Sequence, residues 1–171
     1  DLRGFKPTYL LGVPRVFEKV FNAASQKAGA GLRGRIFANA VRHFEDWSKM
    51  ESEHKHPSLA MRMKHSFYMS TVATSFRSAL GPNLRYLACG GAPINTDLVH
   101  FFNGMDDITF IQGYGMTETA APMMVNWQKA NRPGSVGRPR PGMGVRTAED
   151  GENEVKGPNV FLGYYKDREK N

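Results

Sequence analysis

A single cysteine in 171 residues excludes an internal disulfide framework. Cys89 sits in an apolar stretch, the setting of an inert buried thiol rather than a nucleophile, and a lone cysteine fits a reducing compartment. No apolar run approaches the roughly 20 residues that cross a bilayer. These residues show no secretory signal pattern, and the opening on Asp1 in place of Met suggests a segment of a longer protein. There is no long Lys/Arg block and no basic-aromatic interleaving of a known nucleic-acid motif, which argues against nucleic acid as a partner. His43, His54 and His56 lie close in sequence, but no cysteine and no helical histidine pair supports a metal site there. A solvated loop is the expected setting. Internal repeats and low-complexity tracts are absent.

What is present begins with charge. The formal net charge is +7, and it is uneven. Residues 1–87 carry 14 Lys+Arg against 6 Asp+Glu, whereas residues 88–171 carry 9 against 10. A basic half suits an acidic membrane surface or an anionic ligand. A solvated helical surface whose acidic partners lie elsewhere in a longer protein is the alternative reading. Forty per cent hydrophobic residues supply a core.

The periodicity predicts an α/β fold: a partial parallel sheet with flanking helices, then a small C-terminal β segment. Residues 7–13 read as a short strand, and Pro14 suits the first turn of a following helix. Val13, Val16, Phe17, Val20, Phe21 and Ala24 recur at helical spacing and mark its buried side. Glycines between residues 28 and 34 break it. A second helix is expected over residues 35–50, with Ile36, Phe37, Ala40, Val41, Phe44 and Trp47 inward. A third runs over residues 58–80, its weak apolar stripe formed by Leu59, Met63 and Phe67 with Ser70 or Thr71 and Thr74. The methionines are expected to fill core. Gly81-Pro82 stops this helix. Strands follow at residues 84–89 and 108–111. They are separated by a helix that Asn95 or Thr96 caps and Gly104 ends, a parallel crossover unit expected to be right-handed. Residues 145–156 read as a hairpin around an Asp-Gly turn. The division expected is an α/β subregion at 1–125 and a β-rich one at 126–171.

Chemistry concentrates in Gln112-Gly113-Tyr114-Gly115-Met116-Thr117-Glu118-Thr119, which follows an apolar strand. Glycines let backbone approach a ligand, a ring stacks on a base, a hydroxyl bonds a phosphate and a carboxylate holds Mg²⁺. Open α/β sheets place ligands at such strand ends. Gly90-Gly91-Ala92-Pro93-Ile94 follows another strand, and residues 151–167 end in Phe161-Leu162-Gly163-Tyr164-Tyr165. In order and spacing, these motifs resemble the adenylate-forming (AMP-binding) enzymes. Gly-Val-Pro-Arg-Val-Phe-Glu-Lys-Val at residues 12–20 resembles their long-chain fatty acyl-CoA synthetase branch. The resemblance covers essentially the whole chain, as a central fragment of the large N-terminal domain.

That resemblance implies an enzyme that uses ATP and Mg²⁺ to convert a fatty acid to an acyl-adenylate, then transfers the acyl group to coenzyme A. It implies that Gly91, Ala92 and Pro93 form one wall of the adenine pocket, and Gln112, Gly113 and Tyr114 the other. Gly115 would line the region of the acyl carboxylate, Thr117 would bond the α-phosphate, and Glu118 would hold Mg²⁺. Structural alternatives remain open: Tyr114 as a packed ring, Thr117 and Glu118 as a helix cap. Pro158, Phe161, Tyr164 and Tyr165 read as structural, and Arg15 receives no chemistry.

The family's Ser/Thr/Gly-rich phosphate loop, its Tyr-x-x-Gly-Asp strand and the C-terminal domain with the catalytic lysine are not in this sequence, so the segment alone is expected to be inactive. Rival functions are an acyl-adenylate ligase that hands its product to a carrier protein, a basic module for membrane or nucleic acid, and a degenerate scaffold. A cytoplasmic protein with peripheral membrane contact is expected. An uncovered sheet edge would let the segment self-associate.

Overall fold

In a computed structural model the described residues are 2–127, 130–167 and 169–170. A short helix α1 (Leu2–Phe5) precedes strand β1 (Tyr9–Gly12). Three helical segments follow: α2 (Pro14–Ala28), α3 (Leu32–Ser52) and α4 (Leu59–Tyr68). A π-turn, Met69–Ala73, joins α4 to α5 (Thr74–Leu80). Then come β2 (Tyr86–Cys89), α6 (Thr96–Asn103) and β3 (Thr109–Tyr114). The remaining strands are β4 (Met124–Val125), β5 (Arg138–Pro139), β6 (Gly144–Thr147) and β7 (Asn153–Lys156).

The main sheet runs β1-β2-β3-β4-β5, parallel over the first three strands and antiparallel thereafter. The hairpin β6-β7 stands apart as its own sheet, its turn carried by Gly151 at φ +89°. Register places Leu10, Leu87 and Phe110 side by side, facing the helices. Phe17 meets Phe110 edge-on at 4.9 Å between ring centroids, and Phe101 and Phe102 meet at 5.2 Å. Phe44 and Phe76 complete this aromatic core between sheet and helices. On the opposite face the same register aligns Leu11, Ala88 and Ile111, with Leu11 exposed and Ile111 half-buried.

Local chemistry accounts for the element ends. Pro14 starts α2 where a missing N–H costs nothing. Ser58 Oγ accepts from Met61 N at 3.3 Å and Asn95 Oδ1 from Asp97 N at 2.8 Å, capping α4 and α6. Gly81, at φ +123°, follows the last residue of α5.

Four expectations are corrected. The stripe Leu59, Met63 and Phe67 faces solvent, and α4 instead buries His65 and Tyr68. Hydropathy alone favours the wrong side, because the buried side carries a histidine satisfied by Asp106 at 2.9 Å. In α2, Val13 and Val16 are exposed while Phe17 is fully buried. His43 belongs to no loop: it lies buried in α3, its Nε2 3.3 Å from His65 Nδ1, while His54 and His56 are exposed. Finally, β3 extends through Gln112, Gly113 and Tyr114, because β4 pairs with Gly113 and Tyr114.

Candidate functional site

Gly12, Cys89 and Gln112 end up level across the three parallel strands, so the segments that follow them emerge together at one end of the sheet. Gly90 N donates to Gly12 O at 3.4 Å. A Cβ on Gly90 would lie 3.0 Å from Gly113 O, so the backbones of the two glycine-bearing segments approach each other here. Gly91 takes φ +85°, which favours glycine, and only Val13 Cγ1, at 3.8 Å, comes near its Cβ position. Gly91, Ala92 and Pro93 are all exposed. They form a surface of small side chains and backbone leading to the capped start of α6.

The residues expected to form a second wall are built differently. Gln112 does not offer its side-chain oxygen freely: Oε1 accepts from Gly134 N at 3.1 Å. Gly113 and Tyr114 lie in the strand, half-buried, with Tyr114 O accepting from Met123 N at 2.8 Å. Gly115 has a packing reason as well, since a Cβ there would meet Ala121 Cβ at 2.8 Å. Beyond it, residues Thr117–Thr119 make a 3₁₀ turn. Thr119 closes that turn: its Oγ1 accepts from Met116 N at 3.2 Å and donates to Met116 O at 3.0 Å. Thr119 is thus buried in the local fold, whereas the Thr117 side chain stays exposed and takes no part in the turn.

Glu118 has a partner that the motifs did not point to. The Tyr164 hydroxyl donates to Glu118 Oε1. Phe161 N donates to Glu118 O at 2.8 Å, and Asn159 Nδ2 donates to Thr119 O. Residues read as structural therefore bind the Thr-Glu turn directly. The bond from Tyr164, helped by the backbone N–H of Glu118 itself, holds the Glu118 carboxyl below its usual range, and the same bond pushes the Tyr164 phenol up. A cleft of about 370 Å³ lies beside them, lined by Glu118, Phe161, Leu162, Gly163, Tyr164 and Lys170. The only sequence sign of Tyr164 as a site residue is an aromatic cluster at the end of the chain, with no spacing rule linking it to Glu118.

The donor set offers one carboxylate, Glu118, to a metal ion. Mg²⁺ is commonly held by one or two carboxylates plus substrate phosphates. Glu118 is ionised at neutral pH and has one oxygen committed to Tyr164. Among the described residues no group of three or more His, Cys, Asp or Glu side chains is placed to hold a metal by itself. A larger cavity, about 650 Å³, lies near the start of β3 between Glu51, Asp106 and Asn131, at the other end of the sheet from these loops. Cys89 is buried, and burial, with Glu18 nearby, pushes its thiol up to about 11, which keeps it unreactive.

Comparison with known proteins gives the family and the overall fold. The chain is 41% identical over 165 residues to the protein named Long-chain-fatty-acid--CoA ligase FadD15 of Mycobacterium bovis, covering 96% of this chain and 27% of that protein. It spans about a quarter of the length of the curated relatives it matches. Its fold is shared with a benzoate CoA ligase from Burkholderia xenovorans LB400, at a TM-score of 0.57 and 18% identity over 99% of this chain and 26% of the other. It is shared also with a long-chain-fatty-acid-CoA ligase (FadD1) from Archaeoglobus fulgidus, at 0.53 and 18% over 99% of this chain and 28% of the other. The family model described as AMP-binding enzyme matches residues 1–165, and the chain belongs to that family.

Proposed function

We propose that this chain is the central part of the nucleotide-binding domain of an ATP-dependent fatty acid–CoA ligase. The observation that carries the reading is the juxtaposition of the Gly90 and Gly113 segments at one end of the parallel sheet, in a chain 41% identical to a long-chain-fatty-acid--CoA ligase. In this reading adenine lies between the wall of Gly91, Ala92 and Pro93 and the wall of Gln112, Gly113 and Tyr114. Gly115 leaves room for the acyl carboxylate, and the Thr117 hydroxyl donates to the α-phosphate. Glu118 holds Mg²⁺, which neutralises phosphate charge when bound. Tyr164 orients Glu118 and keeps it ionised.

The chemistry follows from charge and alignment. A fatty-acid carboxylate oxygen bonds to the α-phosphorus as pyrophosphate leaves, giving an acyl-adenylate. The sulfur of coenzyme A then bonds to the acyl carbon as AMP leaves, and the thiol proton passes to solvent. In the first step Thr117 donates to the phosphate, and Glu118 would act only by holding the Mg²⁺ that offsets phosphate charge. The protein is proposed to work in the cytoplasm, peripheral at a membrane, in keeping with one buried cysteine and a basic N-terminal half. Among the described residues no helix is long and apolar enough to cross a membrane.

Fatty-acid-dependent exchange of pyrophosphate into ATP tests the reading in the full-length parent. Thr117→Ala or Glu118→Ala is expected to lower that exchange by about 100-fold, the scale of losing one electrostatic contact to a transition state. Unchanged exchange in both variants refutes the assignment. Acyl transfer by the parent to a carrier protein but not to coenzyme A would overturn the second half-reaction alone.

A further inference from the structure

The outward side of α4 is an apolar stripe that no described residue covers. Leu59 is 75% exposed, Met63 69% and Phe67 51%. At 100° per residue these three share one side of the helix, opposite His65 and Tyr68, which are buried. Arg62 lies on one flank of the stripe and Lys64 on the other, and neither forms an ion pair among the described residues. The charge pattern extends beyond the helix. From residue 54 to residue 96 the sequence holds no Asp or Glu, but it does hold Lys55, Arg62, Lys64, Arg77 and Arg85. Arg77 is neutralised by Asp107 and Lys55 by Glu53, whereas Arg62 and Lys64, the latter with its Nζ 5.8 Å from the Tyr68 ring centroid, border the stripe without a carboxylate partner among the described residues.

Hydroxyls farther along the same helical run bond back to it. Thr71 Oγ1 donates to Phe67 O at 2.8 Å, Ser70 Oγ to Phe67 O at 2.9 Å and Ser75 Oγ to Thr71 O at 3.0 Å. Hydroxyls bonded back to their own helix lose little on leaving bulk water. An exposed apolar stripe, cations along both sides and internally bonded hydroxyls are the features of a helix that lies in the interface of an anionic bilayer. A second copy of this chain is a poor occupant, since it would bring two unpaired cationic borders together.

We propose that the α4 face of Leu59, Met63 and Phe67, bordered by Arg62 and Lys64, docks on the surface of an anionic phospholipid membrane. This assigns the peripheral contact to one helix face. It is independent of adenylation, because docking needs no ATP, fatty acid or coenzyme A, so its failure leaves the ligase reading intact.

Co-sedimentation of the 171-residue chain with vesicles tests this, using equal parts phosphatidylglycerol and phosphatidylcholine against phosphatidylcholine alone. Binding is expected on the anionic vesicles and should weaken as salt is raised. Arg62→Glu with Lys64→Glu should weaken it by at least about fivefold per cation. Leu59→Gln, Met63→Gln and Phe67→Gln combined should weaken it by about 100-fold. Leu162→Gln, at a more exposed apolar residue elsewhere, should leave it unchanged. Circular dichroism checks that helix content survives the triple substitution; if it does not, the charge-reversed pair gives the same readout. No binding to anionic vesicles, equal binding to both vesicle types, or binding indifferent to both sets of substitutions overturns the proposal. Absence of binding would point instead to a further stretch of polypeptide as the cover.

Discussion

The Tyr164 hydroxyl donates to the carboxylate of Glu118, 46 residues earlier, and so ties the chain's aromatic C-terminal segment to the turn that follows β3. The bond needs a protonated phenol and an ionised carboxyl. Glu118, held below its usual value, contributes stability that is present above the ordinary carboxyl pKa near 4.5 and lost as pH falls through the lower folded value. Tyr164, pushed above 10, contributes stability that is present below 10 and lost as pH rises through the folded value. Tyr164→Phe should therefore raise the Glu118 carboxyl toward its ordinary range, read as a ¹³C carboxyl titration, with the remaining depression due to its own backbone N–H, and flatten the stability profile at both ends. An unmoved Glu118 titration would show that its own backbone, rather than Tyr164, sets the value.

A buried histidine chain gives the fold an acid limit. His43 lies in α3 against His65, whose Nε2 bonds Asp106 at 2.9 Å, and Trp47 stacks on His65 at 3.7 Å. Burial, then the neighbouring His65 and Lys64, lower His43 to about 4, with Asp46 opposing. The unfolded chain binds this proton from pH 6.5 downward, while the folded one refuses it until about 4. Stability is therefore full above 6.5 and falls across that window, by up to about 3 kcal/mol. His100, lowered mainly by burial and 3.0 Å from Ser48 Oγ, acts in the same direction. His43→Gln should remove most of the slope in urea-unfolding free energy between pH 6.5 and 4, leaving the part due to His100.

The glycines at the ends of α6 and β3 answer to different constraints. A Cβ on Gly115 would strike Ala121 Cβ at 2.8 Å, and one on Gly104 would fall 2.1 Å from Phe44 O, where α6 ends against α3. On Gly113 the nearest atoms are 3.6 Å away, an ordinary contact. Thermal unfolding should show Gly104→Ala as the most damaging, at 3 kcal/mol or more by rough estimate, because only backbone can yield. Gly115→Ala should cost about 1–3 kcal/mol. Gly113→Ala should cost about 1 kcal/mol or less, so that any loss of nucleotide binding by that variant reports on the pocket rather than on the fold.

How far the sequence reveals this molecule depends on whether the relevant contact is local. β1, α2, α6 and the β6-β7 hairpin are marked by proline, an Asn cap and an Asp-Gly turn, all signals within a few residues of the structure they set. Gln112 to Tyr114 read as loop because glycine disfavours a strand, yet the β4 partner ten residues later draws them into the sheet. The α4 error has another cause. The outward side of that helix is the more apolar, and the buried side owes its position to the His43–His65–Asp106 chain, whose members come from three separate segments. Tyr164 was invisible as a site residue for the same reason: its meaning lies wholly in a partner 46 residues away.

The far edge of the sheet offers the last test. Among the described residues β1 pairs with β2 alone, and Tyr9 and Leu11, 53% and 69% exposed, stand on the face that the helices do not cover. Parallel strands are ordinarily buried on both faces and seldom left at a bare edge, because unpaired N–H and C=O groups and apolar side chains together recruit another strand. The 171-residue chain in isolation should therefore self-associate through β1. Leu11→Lys places a charge on that edge strand without touching the core side, where Leu10 packs. It should shift the mass measured by light scattering toward monomer at equal concentration while leaving the helical signal intact. If the unmodified chain is already monomeric, or if Leu11→Lys leaves the oligomer untouched, association through β1 is wrong. Contacts elsewhere, with the exposed Phe161, Leu162 and Tyr165 segment as the next place to substitute, would then have to account for any oligomer.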